Sequence, residues 1–208
     1  MDLNHQFTVA VPVEDAWRIL TDVERIAPCL PGAQLQEVEG DTYRGIVKVK
    51  VGPIQAQFKG QASFLERDDV AHKAVLKGEG RDTTGKGNAS ALITAELTAV
   101  DATSTSVTVN TDLSITGKVA QFGRGAMADI SDKLLAQFVD NLNTLIAEQP
   151  GTPAAAAPAA AATEGVRTIE SAEVAPLDLL SAAGSPLLKR AIPVVVVVAA
   201  VLLWLIIR

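Results

Sequence analysis

The residues with the most obvious capacity for chemistry are two histidines, His5 and His72, and a single cysteine, Cys29. The histidines stand far apart and show no metal-ligand spacing. His72 sits on an expected strand between turns with no acid beside it in sequence, and Cys29 lies in a proline-rich turn with no neighbouring base. Both read as structural. Paired carboxylates, or a nucleophile with its base, do not fall at usable positions on any one face, so hydrolase or cyclase chemistry is not indicated and no catalytic residue is assigned. A lone cysteine also excludes an intrachain disulfide.

A different chemistry is available, the binding of an apolar molecule. Gly45, Ala56, Gly60, Ala62, Ala89, Ala91 and Ala95 recur at alternate positions of expected strands, and Gly117, Gly123, Gly125 and Ala126 cluster where a long helix begins. Helix propensity alone would favour larger residues there. Around these small positions stand Phe58, Phe64, Leu92 or Ile93, Phe122, Met127 and Ile130, a set able to grip an isoprenoid chain or an aromatic ring. The candidate cavity is therefore Phe58, Phe64, Ala91, Ile93, Phe122, Gly123, Ala126, Met127 and Ile130. The same small residues would equally permit close helix-on-sheet packing with no void.

The elements that must position this set follow from periodicity. Asn4 to Val11 alternates and ends at Pro12, as an edge strand does. Val13 to Leu20 places Val13, Ala16, Trp17 and Leu20 at helical spacing, Thr21-Asp22 caps a second short helix ending before Pro28, and Cys29 to Gly32 is a turn. From Tyr43 the period becomes two. Tyr43 to Val51 and Ile54 to Phe64 form a hairpin about Gly52-Pro53, and strands follow over Val70 to Gly78, Gly87 to Ala99 and Ser106 to Thr116. Lys118 to Glu148 is a long amphipathic helix that stops at Pro150. Residues 1–149 thus form one α+β domain, a curved antiparallel sheet wrapped around a long C-terminal helix. This arrangement resembles the helix-grip fold of the START-like (SRPBCC) superfamily.

The rest of the chain changes composition. Residues 150–188 are rich in Ala and Pro and lack the large apolar side chains needed to offset ordering, which reads as a flexible linker, although Leu177, Leu179 and Leu180 cluster. Residues 189–208 follow as Lys189-Arg190, the uncharged stretch Ala191 to Ile207, and Arg208. As a helix that stretch of 17 residues spans roughly 25 Å, the short end of what a bilayer core requires. Cations at both ends and Trp204 near the far one suit a single-pass C-terminal membrane anchor. The N-terminus has neither the basic nor the apolar region of a secretory signal, so the globular domain is expected on the cytoplasmic side of the cell membrane.

The net charge of −6 sits in residues 1–149, which hold 14 basic and 20 acidic residues. An acidic domain without a basic stripe is poorly suited to a phosphate backbone, so nucleic acid is not an expected partner.

Four stretches carry a narrower resemblance: Phe7 to Trp17, Asp22 to Gly32, Gly80 to Asn88 and Gly117 to Gly125. Together they resemble the G subunit family of carbon monoxide dehydrogenase over residues 1 to about 147. The resemblance implies a partner, the molybdenum-containing carbon monoxide dehydrogenase, and a part in its attachment to the membrane. It further implies an internal cavity for a hydrophobic small molecule, a non-covalently held respiratory quinone of menaquinone or ubiquinone type, and no catalytic motif. Two functions remain open at this stage: a tethered carrier linking the enzyme to membrane electron transport, and a recruitment module docking the enzyme with no ligand inside.

Overall fold

The computed structural model describes residues 1–51, 54–85, 87–117, 119–148, 167–169 and 177–178. The anchor expected at 189–208 and most of the linker expected at 150–188 lie outside these.

Strand β1 (Asp2–Val9) leads into α1 (Val13–Thr21) and the short α2 (Val23–Ile26), then a 3-10 turn at Ala27–Cys29. Helix α1 starts behind Pro12 with Glu14 and Asp15 in its first turn and Arg18 in its last, the charge order that suits the helix dipole. The Asp22 carboxylate accepts the Arg25 amide proton at 3.2 Å and caps α2. Six strands follow: β2 (Ala33–Glu39), β3 (Thr42–Val51), β4 (Ile54–Asp68), β5 (Lys73–Asp82), β6 (Asn88–Asp101) and β7 (Ser104–Ile115). A second 3-10 turn (Val119–Phe122) leads into α3 (Gly123–Glu148). The sheet runs β1-β7-β6-β5-β4-β3-β2, antiparallel throughout, so the expected edge strand is at an edge.

Three of the turns share one device. Asp68 accepts the amide protons of Val70 and Ala71, Asp82 that of Thr84, and Asp101 that of Thr103, so each strand ends where an aspartate closes the turn on its own backbone. The Asp68 turn consumes residues that alternation assigns to a strand beginning at Val70, and β5 starts at Lys73 instead. Strand β2 has no counterpart among the expected elements. Its Gln-rich sequence and a bulge between Leu35 and Glu37 hide the alternation. Further bulges explain exposed apolar side chains: Leu65 and Val100 are the extra residues at register shifts in β4 and β6, and both turn outward.

The core lies at one end of the sheet. Val9, Ala74, Leu97 and Val107 pack there with Ala16, Trp17 and Ile19 of α1 and with Leu142 of α3, which has no exposed surface. Phe7 and Phe138 meet edge to face at 6.3 Å in the same region. Only the C-terminal half of α3 is gripped in this way.

Candidate functional site

At the other end the inner face of the sheet runs out of side chain. Cross-strand partners form one row, Tyr43-Ala62-Gly78-Ala91-Leu113, and beside it a second, Gly45-Gly60-Gly80-Ala89-Ile115. Seven of these ten positions are Gly or Ala. The N-terminal half of α3 crosses above them with Met127, Ile130, Ser131 and Leu134 facing inward, and a cavity of about 470 Å³ remains between helix and sheet. Val47, Val49 and Phe58 wall it along β3 and β4, while Val23, Ala27 and Leu30 close the end beneath α2. That volume falls within the range of small-molecule sites, roughly 300–1,000 Å³.

The lining is almost wholly apolar. Tyr43, Ser90 and Ser131 are its hydroxyl-bearing residues. Burial, reinforced by the Asp41 carboxylate, pushes the Tyr43 phenol above its ordinary pKa, which keeps the O–H protonated and available as a donor.

The structure brings Phe58, Ala91, Ile93, Met127 and Ile130 of the expected set together on this lining. Phe64 points to the packed end, edge-on to Tyr43 at 6.2 Å and against the core cluster. Gly123 is at the start of α3 with φ of +76°, a turn conformation that suits glycine, and like Ala126 it stands outside the lining. Phe122 belongs to the 3-10 turn, its side chain outside the described part. Alternation missed Gly78 and Gly80; extending it from Ala74 and Leu76 against Lys77, Glu79 and Arg81 would have found them. The residues beneath α2 carry no periodic signal and were also missed.

His72 and Cys29 take structural places. His72 adopts φ of +48° in the β4–β5 turn, its ring edge-on to Trp17 at 5.6 Å and Nε2 3.3 Å from the Glu14 carboxylate. The Trp17 indole N–H donates to Asp69 at 2.8 Å, so this corner fastens α1 to the sheet. Cys29 is buried, and desolvation raises its thiol pKa against the opposing pull of Arg25. Among the described residues no cluster of His, Cys, Asp and Glu could hold a metal, and no helix is long and apolar enough to cross a bilayer.

Residues 6–147, over half of the chain, match the family described as the G subunit of carbon monoxide dehydrogenase (CoxG). The chain belongs to that family. Solved structures resemble the CoxG domain at low identity. A conserved protein from Geobacillus kaustophilus aligns with a TM-score of 0.65 at 20% identity, covering 71% of this chain and 96% of its own. Norcoclaurine synthase from Thalictrum flavum, solved with dopamine and hydroxybenzaldehyde, aligns with a TM-score of 0.51 at 15% identity, covering 73% and 88%. These likenesses show the fold alone, a curved antiparallel sheet around a long C-terminal helix. No curated protein matches the sequence. The family description, a subunit of carbon monoxide dehydrogenase, indicates an accessory role.

Proposed function

We propose that this CoxG-family protein is a membrane-tethered accessory protein of carbon monoxide dehydrogenase. It takes a respiratory quinone, of menaquinone or ubiquinone type, into its cavity and so links the enzyme to membrane electron transport. The cavity is the observation that carries this reading. It is apolar, it is bounded by small residues with open space above Gly78 where a side chain would stand, and hydroxyl-bearing residues on its lining could meet a carbonyl-bearing ring. At about 30 Å³ per water-sized group, 470 Å³ holds on the order of fifteen non-hydrogen atoms, a ring with a short prenyl stub. A longer tail would have to leave the cavity. Leu30 lines it and is 39% exposed, which marks a place where interior meets solvent.

The apolar stretch Ala191 to Ile207 supports the membrane location, and the family name supports the enzyme partner. The test is extraction of the purified full chain, with quinone measured by mass spectrometry beside a Gly78→Leu variant. Quinone present in the wild type and depleted in the variant is the expected result. Quinone absent from the wild type, with dehydrogenase still captured, would leave recruitment as the function.

A further inference from the structure

Composition reads residues 150–188 as linker, yet two pieces of that segment are built into the sheet. Arg167–Thr168 (β8) pairs antiparallel with Val38 and Glu37 of β2, and the Ile169 amide donates to the Gln36 carbonyl at 2.7 Å. The Arg167 guanidinium pairs with the Glu24 carboxylate on α2. Further on, Leu177–Asp178 (β9) runs parallel to Val49–Lys50, the stretch of β3 that extends past its last β2 partner, Val47.

An edge strand presents a row of unpaired amide and carbonyl groups, a template for any extended peptide. Strand β2 is the edge that the domain core leaves open, and β8 lies on it. We propose that the β2–β3 edge together with Glu24 is a peptide-binding site whose residents are the chain's own residues 167–169 and 177–178, a strap that braces α2 over the cavity and shortens the tether while it is docked.

Position supports the bracing. The strap touches β2, β3 and α2, and these contribute Leu35, Val49 and Val23 to the cavity wall. Arg167 grips α2 on the turn that carries Val23. Strength supports reversibility. A few backbone hydrogen bonds hold the strap, with one ion pair between side chains that are 67% and 40% exposed, and such pairs contribute little in water. Docked and released states are then close in free energy, so that modest differential binding shifts the population.

Chain length gives the consequence for reach, and this part rests on the anchor proposed above. A docked strap leaves residues 179–190 between the domain and Ala191; a released one leaves 149–190. As coils these span roughly 20 Å and roughly 35 Å, and stretched they reach about 40 Å and about 130 Å. Docking would hold the domain close to the bilayer, and release would let it swing toward a soluble partner.

Hydrogen exchange on the full chain in detergent tests the strap. Residues 167–169 and 177–178 should exchange about tenfold or more slowly than unstructured peptide. Ile169→Pro, which removes the donor to Gln36, should abolish that protection and speed exchange at Gln36 to Val38, and Arg167→Glu should weaken the protection a few-fold, with the melting temperature of the domain unchanged in both. The charge swap of Glu24→Arg with Arg167→Glu should restore it. Unprotected exchange of 167–169 and 177–178 in the wild type, or protection indifferent to Ile169→Pro, would overturn the proposal. Alkaline extraction of membranes judges the anchor separately: a chain that washes off refutes the anchor and the reach argument, while the exchange result still decides the docking.

Discussion

Gly60 and Gly78 stand on neighbouring strands of the same inner face and are small for opposite reasons. A Cβ on Gly60 would lie 2.0 Å from the Glu79 carbonyl oxygen and 2.6 Å from the Gly80 Cα, a clash with backbone that no rotamer relieves. A Cβ on Gly78 would meet nothing within 4 Å. Close strand approach requires Gly60, whereas Gly78 leaves space. Gly78→Leu should therefore fill the cavity, keep the urea midpoint at or above that of the wild type, and reduce bound ligand about tenfold. Gly60→Ala should instead cost about 1–3 kcal/mol or more through strain. Equal destabilisation by the two substitutions would remove the distinction.

The turn beneath the cavity is tied to α3 by one side chain. The Asn141 amide donates to the Cys29 carbonyl at 3.0 Å. Cys29 itself is 3% exposed, with a thiol pKa raised by desolvation, so the reactive thiolate is scarce and shielded at mildly alkaline pH. Alkylation by iodoacetamide should be slow in the native protein and fast in denaturant. Asn141→Ala should cost about 1 kcal/mol and accelerate labelling of the native state. A native labelling rate equal to the denatured one would show that the turn is open.

How much of this could be read from residue order depends on the kind of signal involved. Alternation in Tyr43 to Val51 and Ile54 to Phe64, and helical spacing through Phe138 and Leu142, carried the helix-grip fold, because faces buried against one core repeat with the period of their element. It also placed Phe58, Ala91, Met127 and Ile130 on one lining. Register was not legible. The bulges after Leu35 and Phe64 change which residues share a row beyond them, and Phe64 joins the packed end by its place along β4, paired with Leu76. Strap pairing was hidden for another reason. Arg167 and Leu177 pair through backbone, and backbone pairing leaves no mark on composition.

Acid should loosen the turns first. Asp101 has its pKa lowered by the Ser104 hydroxyl and by the Thr103 amide, and Asp68 by the amides of Ala71 and Val70. A carboxylate whose pKa is depressed by folding stabilises the native state above its unfolded value, about 3.9, and this contribution is lost as pH falls through the folded value. The urea midpoint should hold steady from neutral pH to about 5 and then drop below about pH 4. Asp68→Asn and Asp101→Asn should each flatten that acid limb. Unchanged limbs in both variants would show that the turns do not set it.

Helix α3 does two jobs along its length, and paired truncations separate them. Leu142 is completely buried among Val9, Trp17 and Val107, so Leu142→Ala should cost about 2–5 kcal/mol through the void it leaves. Ile130 already borders empty space. Ile130→Ala removes fewer contacts, so its cost should fall well below that of Leu142→Ala, while the enlarged cavity should accept a bulkier ring. The two side chains sit about 18 Å apart along the helix, so the double variant should lose the sum of the single losses to within about 0.5 kcal/mol. Urea unfolding of the four proteins measures this. A larger deviation would mean that the cavity end and the packed end are mechanically coupled, and that ligand binding changes the grip of the sheet on the helix.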